Sequence, residues 1–128
     1  MTLRAIKPAG APAALATYSP GIDTGQLVFL AGQIGLDPAT GQLASGIEAQ
    51  VERALRNLIS VLDAAGLSMA DVAKTTCFLA DINDFDAFNA VYSRFVGDPP
   101  PARSTFAVAA LPRGALIEIE AIAARPSS

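Results

Sequence analysis

The sequence contains no histidine, no tryptophan and only one cysteine, Cys77. Without histidine there is no Ser-His-Asp or Cys-His relay and no His-ligated metal site. A lone cysteine allows neither an internal disulfide nor a thiolate cluster. Phosphate-cradling loops of the Gly-x-Gly-x-x-Gly or Gly-x-x-x-x-Gly-Lys type are also missing. Any catalysis is therefore left to carboxylates, Arg, Lys, Tyr, hydroxyls and backbone groups, and neither a cofactor nor a metal is expected. No apolar run approaches the ~18 residues that cross a bilayer. Met1-Thr2-Leu3-Arg4 leads into Pro and Ala rather than into the apolar core of a signal peptide, so a cytoplasmic location is expected. Net charge is −3 and no stretch gathers Lys and Arg, so neither nucleic acid nor an anionic membrane is an expected partner.

What the chain has in plenty is apolar matter: 52% of its 128 residues are hydrophobic and only 16% are charged. That length fits one domain spanning 1–128 with a real core. A small domain has much surface, so this composition points to a self-association face, although Ala inflates the count.

Short strands are expected at Leu3–Ile6 and around Ala16–Ser19, and a longer one over Gln26–Ile34, where Gly32 marks a bulge or a close backbone approach. Asp37-Pro38 and Thr40-Gly41 make a turn. Ser45 and Glu48 read as a capping box opening a helix whose apolar stripe is Ile47, Val51, Ala54, Leu55, Leu58, Leu62 and Ala65, ended by Gly66. Ala73–Ala80 reads as a strand. A second helix is expected from an Asn83 cap, with Asp84 and Asp86 in its first turn, a stripe of Phe85, Phe88, Val91, Tyr92 and Phe95, and a stop at Gly97. Pro99-Pro100-Pro101 cannot continue it. Strands over Arg103–Ala110 and Ala115–Ala124, joined through Pro112-Arg113-Gly114, complete an α+β fold with two helices on one face of a mixed sheet.

Several residues are candidates for chemistry. In the last strand Glu118 and Glu120 share a face with Leu116 and Ile122, opposite Ile117, Ile119, Ala121 and Ala123. A carboxylate half-covered by apolar neighbours is a candidate proton acceptor; a solvated strand face is the plainer alternative. Arg103 is held by the proline run and offers a bidentate clamp for a carboxylate or phosphate, or else a surface ion pair with Asp98. Tyr18 faces either a pocket or an interface. Asn89, in mid-helix, is either simply exposed or a hydrogen-bonding group at the helix boundary. Cys77 reads as a small core residue and Lys74 as a solvated edge lysine.

Taken in order, Ala11-Pro12-Ala13-Ala14, Tyr18, Ala31-Gly32-Gln33-Ile34, Ala64-Ala65-Gly66-Leu67, Val72-Ala73-Lys74-Thr75-Thr76, Asn83-Asp84-Phe85, Asn89-Ala90-Val91-Tyr92, Pro101-Ala102-Arg103-Ser104 and Ile117-Glu118-Ile119-Glu120-Ala121-Ile122 resemble the RidA/YjgF family over nearly the whole chain. The resemblance implies a chorismate-mutase-like fold, a homotrimer with sites in clefts between subunits, and cofactor-free hydrolysis of reactive 2-imino acids and their enamines to 2-oxo acids and ammonia. It implies that Arg103 holds the substrate carboxylate and that Glu118 orients the attacking water. Tyr18, Asn89, Gly32, Ala31 and Thr105 line the substrate, and Glu120 matches a family position with no catalytic role attached. Thr105 stands where many members have Cys, and Ala31 where they have Ser, which bears on substrate preference. A ligand-binding or chaperone-like trimer without turnover is an alternative from another class. Ribonuclease activity is disfavoured by the acidic balance and the missing histidine.

Overall fold

In three of the strands buried side chains alternate with exposed or half-exposed ones, the period of a sheet covered on one face only. The computed structural model describes residues 2–8, 10 and 17–127. Six strands form one mixed sheet: β1 (Arg4–Ile6), β2 (Gly21–Asp23), β3 (Leu27–Ile34), β4 (Val72–Leu79), β5 (Ala102–Ala107) and β6 (Ile117–Ala124). Their spatial order is β1-β2-β3-β6-β4-β5, antiparallel throughout except for the parallel pair β4–β5. Helix α1 (Ile47–Ala64) follows β3, and α2 (Phe85–Tyr92) carries the chain from β4 to β5, the crossover that a parallel pair requires. This is the α+β arrangement expected, with both helices contributing to one core.

That core lies between the helices and one sheet face. Val28 and Leu30 of β3, Cys77 and Leu79 of β4, and Ile117, Ile119, Ala121 and Ala123 of β6 meet Val51, Ala54, Leu55, Leu58, Val61 and Leu62 of α1 and Phe88 of α2. Truncating a residue such as Leu55, which is fully buried, is expected to cost roughly 2–5 kcal/mol. The opposite face has no cover among the described residues, and Leu27, Phe29 and Phe106 stand 39%, 43% and 45% exposed.

The ends of the elements depart from the sequence expectations in instructive ways. Ser45 does not cap α1; the cap is Gly46, at φ 86°, and no side chain bonds to the first turn. Ser45 lies one residue too early, and the positive φ is one that glycine adopts freely. At the other end Gly66 does terminate the helix: its N–H bonds to Asp63 and that of Leu67 to Leu62, the paired bonds of a Schellman stop. A true capping box occurs instead at Ser68 and Asp71, on the short turn Met69–Asp71 before β4. Asn83 is not the cap of the second helix. The Asp81 carboxylate accepts from the Asn83 N–H and opens a turn over Ile82–Asp84, from which α2 runs only to Tyr92, short of Gly97. The second strand is Gly21–Asp23 rather than a segment around Ala16–Ser19, whose first residue falls outside the described ones. β5 ends at Ala107 rather than Ala110, at the limit of its pairing with β4.

The chain ends are tied at Asp23. Its carboxylate accepts from Arg4 at 2.9 Å, from Arg125 at 2.6 Å and from the Gly25 N–H at 2.8 Å. The Arg125 bond, then the Gly25 N–H and Arg4, hold this carboxyl well below the usual range.

Candidate functional site

Arg103 lies opposite Thr75 in the parallel β4–β5 ladder, and Thr75 is 1% exposed beneath the helices. Residues paired in this way point to the same face, so Arg103 is on the helix side, at the sheet's edge and against α2. There Phe85, Phe88, Asn89 and Tyr92, spaced i, i+3, i+4 and i+7, present one helix face to it. Arg103 Nη1 donates to Asn89 Oδ1 at 2.7 Å. Its guanidinium carbon stands 4.8 Å from the Tyr92 ring centroid, 5.4 Å from that of Phe88 and 5.6 Å from that of Phe85. The Tyr92 hydroxyl is itself hydrogen-bonded to Thr75 Oγ1 at 2.7 Å. The alternative ion pair with Asp98 does not form; among the described residues Arg103 pairs with no carboxylate. A half-buried cation walled by rings, with donors left over, has the chemistry to receive a small anion. Asn89 is not a plain surface residue: it orients that cation.

Thr105, two residues further along β5, lies on the same face opposite Cys77. Its hydroxyl is buried and has no hydrogen-bond partner among the described residues. Cys77 is fully buried, and desolvation pushes its thiol up to about 11, which fits a core residue rather than a nucleophile. Lys74 is not on an edge, because β4 lies between β6 and β5; its ammonium donates to Thr76 Oγ1 at 3.3 Å on the uncovered face.

Glu118 belongs to that uncovered face. It lies opposite Phe78 on β4 and Ile34 on β3, with Ile117 and Ile119 on either side turned into the core. Glu118 is half-buried and Glu120 exposed. Burial, and then the charge of Glu120, raise the Glu118 carboxyl above its ordinary value of 4.5. The register of β3 against β6 shifts between Leu30 and Gln33, so Ala31 and Gly32 form the bulge that Gly32 predicts. The glycine is needed for a concrete reason: a Cβ at residue 32 would collide with the Glu118 carboxylate. The Ala31 N–H bonds to the Pro20 carbonyl at 2.9 Å, which brings the segment holding Tyr18, 50% exposed, alongside the bulge.

The candidate residues therefore fall into two groups. Arg103, Asn89 and Thr105 gather at the β5 edge on the helix side, while Glu118, Gly32, Ala31 and Tyr18 gather around the bulge. Arg103 and Glu118 point to opposite faces of the sheet, two strands apart, roughly 10 Å across. Among the described residues the two therefore share no face of one copy. A separate groove of about 360 Å³, lined by Thr2, Arg4, Asp23, Thr24, Gly25 and Arg125, lies apart from both groups, and its arginines are engaged by Asp23. Among the described residues no group of His, Cys, Asp or Glu is placed to hold a metal ion. Nor, among the described residues, is any helix long and apolar enough to cross a membrane.

Sequence reasoning missed the supports of both groups. Phe85, Phe88 and Tyr92 read only as a core stripe, because nothing local says that an arginine 11 to 18 residues on will lie against it. Gln50 and Asn57 were also passed over, though both are buried. Gln50 accepts from the Leu116 N–H at 2.8 Å and donates to Ala44 O at 3.0 Å. Asn57 donates to the carbonyls of Ile34 and Leu36. Together they pin α1 to the strand ends next to the bulge and Glu118. Their signal was available: two amides seven residues apart on the flank of an apolar stripe.

A profile of the family described as Endoribonuclease L-PSP matches residues 8–125. The chain belongs to this family, also known as RidA/YjgF. The human 2-iminobutanoate/2-iminopropanoate deaminase is 45% identical over 121 residues, covering 94% of this chain and 88% of the human protein. The Salmonella typhimurium protein of the same name is 46% identical over 118 residues, covering 90% and 92%. Among solved structures, the Escherichia coli YjgF gene product superposes with a TM-score of 0.92 at 41% identity, covering 96% of this chain and 99% of that one. Escherichia coli TdcF with bound serine gives 0.92 at 39% identity, with the same coverage.

Proposed function

We propose that this RidA/YjgF protein is a 2-iminobutanoate/2-iminopropanoate deaminase whose sites form between the subunits of a homotrimer. The observation that carries the reading is the Arg103 head. It is fixed by Asn89 and three rings, with no carboxylate opposite it among the described residues. A small 2-imino acid offers what this cation lacks, a carboxylate beside an electrophilic C=N carbon. The serine bound to the TdcF relative is an amino acid of the same size class.

In the proposed reaction Arg103 holds the substrate carboxylate and sets the imine carbon at a fixed place. Glu118, ionised, accepts a hydrogen bond from water and aims its oxygen at that carbon. Water adds across C=N, and the proton taken up by Glu118 passes to nitrogen. Glu118 then relays the carbinolamine's hydroxyl proton to the nitrogen as the C–N bond breaks and C=O forms, leaving a 2-oxo acid and ammonia. No redox partner is needed and Glu118 ends as it began. Gly32 gives the carboxylate its room, Ala31 and Tyr18 flank it, and Thr105 lines the Arg103 side. Because Arg103 and Glu118 face opposite sides of one sheet, each site takes its arginine from one copy and its glutamate from the next. A closed ring of three gives three equal clefts and covers the apolar face bearing Leu27, Phe29 and Phe106. Leaked imines arise where amino acids are dehydrated, and we place the protein with them in the cytoplasm.

The test is release of ammonia and 2-oxo acid from 2-aminoacrylate generated in situ. The wild-type chain is expected to accelerate it above the spontaneous rate. Saturable binding of 2-oxobutanoate without acceleration would favour the alternative, a ligand-binding trimer without turnover.

A further inference from the structure

Arg103 is an unusual cation for its setting, because apart from the Asn89 amide oxygen its fixed partners are rings. Tyr92 is the nearest of them, and it is not free to turn. Its hydroxyl is bonded to Thr75, which is 1% exposed on the neighbouring strand, and Tyr92 is itself 4% exposed. Cys77 adds a longer contact to the same Thr75 oxygen, at 3.9 Å, so a buried polar seam runs from β4 to α2 directly beneath the guanidinium. Phe88 and Phe85 close the sides, and Asn89 fixes one nitrogen. Rings attract a guanidinium without using its hydrogen-bond donors, which a carboxylate neighbour would consume. A fixed acidic partner would compete with an incoming carboxylate. An aromatic wall holds the cation and leaves its fork open.

We infer that Tyr92, anchored by Thr75, is a positioning residue for substrate binding: together with Phe88 and Phe85 it aims the Arg103 guanidinium at the substrate carboxylate. This rests on the deaminase reading for its substrate, but the aim of the arginine is a property of the free protein. It predicts a defect in ground-state capture, because the wall touches the clamp and not the imine carbon or the water.

Three variants of the full-length protein test it, by KM and kcat for in-situ imine, by calorimetric Kd for 2-oxobutanoate, and by the NMR signal of the Arg103 Nε–H. In Tyr92→Leu, Kd and KM are expected to rise about tenfold with kcat within twofold, the scale of one desolvated cation–π contact. The Arg103 signal should lose its ring-current shift. Tyr92→Phe keeps the ring and should rescue Kd to within about threefold. Phe85→Leu, at a half-buried wall position, should raise Kd about threefold and decides the matter if Tyr92→Leu does not fold. A merely structural role would lower Tm in these variants while leaving Kd and the Arg103 signal unchanged, and that result overturns the inference. If wild type neither turns over the imine nor binds the oxo acid, the deaminase reading fails. The Arg103 signal still judges the wall, and an unshifted signal in both Tyr92→Leu and Phe85→Leu rejects it.

Discussion

Around Arg103 the chain surrounds a charge with aromatic rings and one amide oxygen; around Glu118 it removes a side chain to make room for one. The first region lies on the helix-covered side of the sheet and is preorganised by packing. The second lies on the uncovered side and is shaped by a bulge, where a glycine leaves the space that a carboxylate occupies. The two charges also differ in what they lack. Among the described residues Arg103 pairs with no carboxylate, whereas Glu118 has lost solvent and has Glu120 as a like-charged neighbour. One region is a cation fixed with donors to spare; the other is a carboxylate kept more basic than usual.

Breaking the Arg103 side is expected to have the largest effect. Arg103→Ala should lower kcat/KM by about 10³-fold, since it removes a fixed, partly desolvated charge pair with the substrate. CD and thermal melts should show the fold retained.

Glu118→Gln should lower kcat by about 10²-fold with KM little changed, the reverse of the pattern expected for the aromatic wall. The same variant sharpens the contrast through pH. The Glu118 carboxyl is raised in the folded state by burial and by Glu120. Wild-type kcat is therefore expected to fall as pH drops through that raised value, while the residual rate of Glu118→Gln loses this acid limb. The stability sign runs the other way: a raised folded-state value means that the ionised group opposes folding at neutral pH. Glu118→Gln should raise Tm at pH 7, and the gain should vanish once pH is below the ordinary 4.5.

Gly32→Ala should lower kcat by at least about tenfold, because its methyl displaces the Glu118 carboxylate, and misplacement on the ångström scale is costly in rate. The smallest effect is expected from Thr105→Val. It removes a buried hydroxyl that has no partner among the described residues, so Tm should stay level or rise slightly. A change in KM above about threefold would instead make that hydroxyl a substrate contact.

Much of the fold was legible because periodicity reports burial directly. The stripe from Ile47 to Leu62 and the alternation from Leu116 to Ala123 correspond to the buried faces observed. Caps were less legible, since Ser45 and Asn83 have the right chemistry but stand a residue or two from where the backbone needs it. In the site, single residues were legible through family resemblance, but their grouping was not. Alternation shows that Glu118 and Ile119 face opposite ways. It does not show which face of β5 joins which face of β6; that follows from the parallel register of Arg103 with Thr75 and the antiparallel register of Glu118 with Phe78. The aromatic wall was visible as a stripe and hidden as a partner, because its contact spans α2 and β5.

The central claim, that the two regions meet only between copies, has a direct test in subunit mixing. Arg103→Ala and Glu118→Gln chains, each nearly inactive alone, are co-refolded in equal amounts and assayed for imine hydrolysis. Random assembly leaves an intact arginine in half the donors and an intact glutamate in half the neighbours, so about one site in four should recover wild-type turnover. A mixture no more active than its components would contradict a site shared between subunits.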